Sequence, residues 1–176
     1  MKEIFRFGFI LAFICLIAAG LLAAVNVITA PKILAQALAE EQAALKEVMP
    51  QASKFIAVKS DVDEQTLYYK AFDDRDKIIG FVFKAAGKGY SSLIQTLVGV
   101  DPKGIISAIK VLSQNETPGL GIRITEKKFT DQFKNQDSST LSGVQAISGA
   151  TVSSRALMKS VIKKAQEIEG LIKNEK

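Results

Sequence analysis

The stretch Leu93–Leu112, LIQTLVGVDPKGIISAIKVL, decides the fold. Two apolar segments, Leu93–Val100 and Ile105–Leu112, flank Asp101-Pro102-Lys103-Gly104. Pro at the second turn position and Gly at the fourth suit a type I turn, so the pair reads as adjacent antiparallel strands. Upstream, Phe55–Lys59, Leu67–Phe72 and Lys77–Ala85 also read as strands, the last two joined by Asp73-Asp74-Arg75-Asp76. That acidic cluster lacks the Gly and the distal Glu of a calcium loop, so it reads as a solvated hairpin turn. The pattern predicts a β-meander. Downstream come a polar loop, a short helix near Thr125–Phe133, a Ser-rich loop and a final helix from Thr151 to Lys173. The apolar face of that helix is Leu157, Val161, Ala165, Ile168 and Ile172, which makes the body (residues 51–176) α+β.

The N-terminus obeys a different pattern. From Phe7 to Ala30 the run FGFILAFICLIAAGLLAAVNVITA carries no charge, and about 20 such residues suffice to cross the hydrocarbon core. A cleaved secretory signal has an apolar core of about 7–15 residues, and the most suitable exit here, Ile28-Thr29-Ala30, would leave Pro31 after the cut. Residues 1–31 therefore read as a retained single-pass membrane anchor. Lys2 and Arg6 before the run place the N-terminus in the cytoplasm and the body outside it. Cys15, inside the run, reads as an apolar filler. Residues 32–50 predict a juxtamembrane helix stopped by Pro50, with Leu34, Leu38, Leu45 and Val48 on one core-facing stripe.

Composition then removes whole chemistries. The 176-residue chain contains no His, one Cys and no Trp. A Ser-His-Asp triad, a His-rich zinc site, His-ligated haem, a disulfide framework and an iron–sulfur cluster held by this chain alone are all excluded. Redox work would require a borrowed organic cofactor. The net charge of +5 is dispersed, and Lys159, Lys163 and Lys164 alternate with Glu167 and Glu169 as a solvated helix face rather than a nucleic-acid stripe. Neither a metal site nor a nucleic-acid partner is expected.

Two loops could carry chemistry. Ile147-Ser148-Gly149-Ala150-Thr151-Val152-Ser153-Ser154 leads into the last helix. Small residues admit a ligand close to the backbone, and the free N–H groups of a helix's first turn attract an anion. The same pattern also starts many helices with no ligand at all. It is not a P-loop, since no Lys follows the glycine. The second loop, Gln114-Asn115-Glu116-Thr117-Pro118-Gly119-Leu120-Gly121, follows a predicted strand. Glu116 offers an acceptor and Leu120 a surface for a flat ring, although a plain surface connection reads equally from the residues alone.

Taken together, the N-terminal anchor, KGYSSLIQTLVGVDPKGIISAIKVL, NETPGLG and VQAISGATVSS resemble RnfG, the FMN-binding component of Rnf electron-transport complexes. They are also similar to NqrC, its counterpart in the sodium-translocating NADH:quinone reductase. The resemblance implies a redox subunit, not catalytic alone, that relays electrons in a complex coupling ferredoxin and NAD to Na⁺ or H⁺ translocation. Its partners would be membrane and iron–sulfur subunits. It further implies FMN joined through its phosphate to Thr151, a bond made by a separate flavin transferase from FAD, with Ser148, Gly149, Ala150 and Ser153 around it. Glu116 and Thr117 would hydrogen-bond the flavin ring, Leu120 and Gly121 would pack it, and Gly87, Gly89 and Tyr90 would form a further wall. Gln145 stands where that motif usually carries Asp. The alternatives are an NqrC-like component of the quinone reductase, a free-standing flavinylated carrier, or an anchored scaffold without cofactor.

Overall fold

The computed structural model describes residues 2–59 and 66–174. The chain divides into two compact units, one ending at Glu40 and the other beginning at Glu41. The first unit is the front of a single helix, α1, Lys2–Val48. It is the one helix among the described residues long and apolar enough to cross a membrane. α1 runs unbroken through Pro31. An interior proline costs about 3 kcal/mol through a lost hydrogen bond and a ring clash, and the helix-forming residues on either side carry the helix past it.

The second unit contains an antiparallel sheet ordered β1-β2-β3-β4-β5, a meander as expected. Its strands are β1 Lys54–Lys59, β2 Thr66–Phe72, β3 Ile78–Lys88, β4 Leu93–Val100 and β5 Ile106–Ser113. Asp73 closes the β2–β3 hairpin, its Oδ1 accepting from the N–H groups of Arg75 and Lys77. Asp101 does the same for Lys103 and Ile105 between β4 and β5. The predicted helix near Thr125–Phe133 is instead a chain of tight turns. These are 3₁₀ turns at Gly121–Thr125 and Asp131–Phe133 around a short α2, Lys127–Thr130. Phe129 and Phe133 pack edge to face beneath these turns, and the core packing outweighs the weak local helix signal.

Strand alternation sends β4 side chains to two separate cores. Ile94, Val98 and Val100 join Phe83, Leu157, Val161, Ala165 and Ile168 on one face, under α3, Thr151–Asn174. The side chain of Ile172, expected on the same stripe, lies outside the described residues. Leu97 faces the other way and joins Leu45, Val48, Met49, Ala71 and Val82. Only the last two turns of α1 thus enter a core, while Leu34 and Leu38, expected on the same stripe, are exposed. Glu41 reinforces that contact by accepting from Tyr69 Oη at 2.6 Å and pairing with Lys84 at 2.7 Å. Burial and this neighbouring carboxylate push the Tyr69 phenol up to about 12.

Thr96 is the polar exception on the α3 side. Its Oγ1 is buried and, among the described residues, has no hydrogen-bond partner. A buried hydroxyl left unpaired loses its hydration without return. Thr96→Val is therefore expected to stabilise the protein by about 1 kcal/mol, read as a raised denaturant midpoint of the full chain in detergent. A lowered midpoint would mean that the hydroxyl has a partner in solution.

Candidate functional site

Two turns shape the site. In the first, Leu120 N donates to Thr117 O at 3.2 Å across Pro118 and Gly119, and Gly119 has φ +74°. In the second, Ala150 N donates to Ile147 O at 3.0 Å across Ser148 and Gly149, and Gly149 has φ +81°. A positive φ at the third position is the mark of a type II turn, which favours glycine there. The turns face each other: a side chain on Gly149 would meet Leu120 Cδ2 at 3.3 Å. Directly after the second turn α3 begins at Thr151, and its first intrahelical hydrogen bond runs from Ser154 N to Ala150 O. The N–H groups of Thr151, Val152 and Ser153 precede that bond and are free for an anion, as at any helix start.

Between these turns lies a cavity of about 490 Å³ lined by Thr117, Leu120, Gly121, Gly149, Ala150, Thr151, Val152 and Ser153, with Tyr90 and Glu116 completing it. Its rim is apolar and open: Tyr90, Leu120 and Val152 are 74%, 49% and 55% exposed. Such a cavity, with apolar surfaces for a flat ring and a helix start for a phosphate, fits an FMN-sized ligand. Among the described residues no Lys or Arg lines it.

Glu116 is held by hydrogen bonds within the protein. It is 5% exposed, and both carboxylate oxygens are taken by the protein itself. Oε1 accepts from Ser91 N at 3.1 Å, Ser92 N at 2.9 Å and Ser92 Oγ at 3.0 Å. Oε2 accepts from Tyr90 N at 3.1 Å and Ser153 Oγ at 2.5 Å. The carboxylate is thus a clamp between the β3–β4 turn and the first turn of α3, not a free partner for a flavin ring. Burial alone would raise its pKa. The Ser153 hydroxyl and the N–H groups of Ser92, Ser91 and Tyr90 outweigh that and hold it at about 2.

Three other expectations change. Ser148 points away from the cavity and lines a separate cleft of about 200 Å³ with Arg123, Lys128, Gln132 and Gln145. It is the second residue of its turn, whereas Ala150 and Thr151 follow the reversal. Gln132 holds the same segment by accepting from Gln145 N at 2.9 Å. Gly87 and Gly89 are not walls. A side chain on Gly87 would strike the Ala156 carbonyl at 2.6 Å, and one on Gly89 would strike Glu116 at 2.5 Å. They let α3 and the clamp approach the sheet. Val152 is a lining residue that sequence reasoning misses, although its place beside Thr151 in the first helical turn is signal enough.

Residues 89–166 match the FMN-binding domain family, and residues 1–48 match the RnfG N-terminal region. The first span encloses every residue lining the cavity. The G component of the ion-translocating oxidoreductase complex of Methanosarcina acetivorans is 35% identical, the alignment covering 89% of this chain and 90% of that one. This chain belongs to the RnfG family. The G component of the proton-translocating ferredoxin:NAD⁺ oxidoreductase complex of Clostridium ljungdahlii is 31% identical over 88% of this chain and 85% of its own. The fold is shared with the C component of the Na⁺-translocating NADH-quinone reductase of Parabacteroides distasonis, at TM-score 0.52 and 19% identity. That match covers 64% of this chain and 74% of the other. As an RnfG protein, this chain is an FMN-binding electron-transport component of a multi-subunit ion-translocating complex, with a membrane-spanning N-terminal helix.

The clamp has a pH signature. Because folding lowers the Glu116 pKa from 4.5 to about 2, its contribution to stability is complete above pH about 4.5. It is lost as pH falls through about 2, as the carboxylate takes up its proton. The magnitude is of the order of 2 kcal/mol once screening at the open rim is allowed for. Asp137, held at about 2 by Ser139 and Thr140, loses its interactions over the same range. Melting curves between pH 6 and 2 should therefore show wild type losing more stability than Glu116→Gln, the two converging at the acid end. Parallel curves would show that folding leaves the Glu116 pKa unchanged, and curves diverging in the opposite sense that it is raised.

Proposed function

We propose that this chain is the flavin-bearing relay of a membrane complex that passes electrons between ferredoxin and NAD while moving Na⁺ or H⁺, with FMN ester-linked to Thr151. The observation that carries the reading is the position of Thr151. It is exposed on the cavity wall at the first residue of a 24-residue helix, with apolar surfaces beside it. Ferredoxin and NAD enter because the Clostridium ljungdahlii relative bears them in its name.

Thr151 is the attachment point in this reading, not an acid or base. Its Oγ1 loses a proton and forms a bond to the flavin-side phosphorus of FAD; the diphosphate bond breaks and AMP leaves. A flavin transferase supplies that catalysis, since the loop itself offers no general base. The resulting phosphodiester carries one negative charge at the start of α3, where the helix dipole favours it by about 0.3–1 kcal/mol. Bound FMN supplies the chemistry of accepting and donating electrons. Leu120, Val152 and Tyr90 exclude water from part of the cavity, and Gly149 keeps the turn reversed so that Ala150 and Thr151 face it. Lys2 and Arg6 support a cytoplasmic N-terminus and an extracytoplasmic body. There a tethered flavin is not lost to the medium. Membrane and iron–sulfur subunits of the same complex would be the electron partners.

The test is ultraviolet fluorescence of the denatured protein on a gel, after expression with the transferase. Wild type is expected to give a fluorescent band and Thr151→Ala none. A dark wild-type band would leave a noncovalent FMN protein, with Gln145 in place of the motif's Asp as the first suspect.

A further inference from the structure

The three walls of the cavity come from three separate parts of the chain: the β3–β4 turn with Tyr90, the segment Glu116–Gly121, and the first turn of α3. One side chain joins all three. Glu116 accepts from Tyr90, Ser91 and Ser92 in the first, lies in the second, and accepts from Ser153 in the third. Ser92 tightens the joint, its Oγ donating to Glu116 and accepting from Asn115 N at 2.7 Å. Gly89 and Gly121 are shaped to it, since a side chain on either would collide with Glu116, at 2.5 Å and 2.6 Å. A hydrogen-bonded carboxylate with five donors keeps its charge, and the same residue lines the cavity.

Charge around it is unbalanced. Among the described residues Glu116 is the one ionisable carboxylate lining the cavity, and no Lys or Arg lines it. The start of α3 contributes only about half a positive charge. An electron added to a flavin in this cavity therefore meets a net negative wall.

We propose that Glu116 is a positioning residue of the FMN site that both fixes its three walls and, by its charge, makes the bound flavin harder to reduce. This rests on the reading that FMN occupies the cavity. The function in the relay would be to keep the carrier at low potential, where a flavin can exchange electrons with strong reductants. No proton or electron passes through Glu116 itself.

The experiment uses the full chain in detergent and two readouts. In flavin-loaded protein, the oxidised-to-reduced ratio is measured at a fixed poise against reference dyes for wild type, Glu116→Gln and Asp137→Asn. Asp137 is a half-buried carboxylate outside the cavity lining and controls for net charge. Glu116→Gln is expected to shift the ratio toward reduced flavin by about tenfold or more, the scale of one charge at short range in an effective dielectric near 20. Asp137→Asn should leave it within about twofold at moderate salt. An unshifted Glu116→Gln, or an equal shift in both variants, overturns the electrostatic role.

The second readout needs no flavin. In Thr151→Ala protein, amide hydrogen exchange at Tyr90, Ser91 and Ser92 is compared with and without Glu116→Gln. An amide in place of Oε2 or Oε1 turns at least one acceptor into a donor facing an N–H group, so exchange there should speed up at least about tenfold. Unchanged exchange overturns the clamp. Should Glu116→Gln fail to fold, Glu116→Asp takes its place: the charge stays while the shortened side chain surrenders the contacts. Fast exchange with a wild-type ratio then supports both roles, and unchanged exchange or a ratio shifted as expected for lost charge overturns them. A protein that never takes up flavin but keeps the exchange result separates failure of the FMN reading from failure of the clamp.

Discussion

Burying an ionised carboxylate costs several kcal/mol unless its oxygens are fully hydrogen-bonded, and Glu116 meets that condition with five donors. The rest of the site follows from it. The β3–β4 turn must present three consecutive N–H groups to one point, which requires the turn to begin at the register where Lys88 pairs with Leu93. The first turn of α3 must bring Ser153 to the same point, and α3 reaches it because Gly87 lets the Ala156 carbonyl lie against β3. Sheet register, helix approach and loop conformation are thus conditions on one carboxylate.

The sheet below is held from both faces by unlike means. On the cavity side a long amphipathic α3 covers β3 and β4 with Leu157, Val161, Ala165 and Ile168. On the opposite face the cover is only the end of α1 and the residues after it, fastened by polar contacts as much as by Leu45 and Val48. Glu41 binds Tyr69 and Lys84, Glu47 pairs with Lys110 at 2.8 Å, and Ser107 Oγ donates to Val48 O at 2.9 Å. The segment that leaves the membrane anchor is therefore also part of the body's core. That dual membership is why the helical pattern of residues 32–50 does not resolve into a separate element.

How much of this was legible in the sequence depends on which physical signal was strong. The strands were, because apolar alternation and turn chemistry agree: Asp101 and Asp73 close turns where their spacing places them. The cavity loops were legible as a pair only through their resemblance to a family, since Pro-Gly and Ser-Gly turns also serve as ordinary connections. Ser148 was misplaced because a loop motif does not state which side of the chain its residues face, and a turn reversal separates Ser148 from Thr151. The clamp made by Glu116 was the least legible feature. An acid in a polar loop ordinarily faces solvent, and only its coincidence with Ser91-Ser92, Gly89, Gly121 and Ser153 reveals a clamp. Those residues are distant in sequence, so the coincidence exists only once the chain is folded.

The charge of the cavity bears on why a flavin here would be tethered rather than merely bound. Many noncovalent sites for phosphorylated ligands pair the phosphate with Arg or Lys, and this cavity has neither among the described residues. What it offers a phosphate is a helix start, worth about 0.3–1 kcal/mol, against a carboxylate on the same lining. An open apolar rim adds contact but leaves the ligand exposed to exchange with solvent. The proposed covalent bond at Thr151 would remove the need for a cation and let the negative wall remain. Adding an arginine to hold the phosphate would strengthen binding and at the same time ease reduction of the ring. An ester at the helix-start hydroxyl would separate those two demands: one bond would settle attachment, and the electrostatics of the cavity would be left free to set the potential.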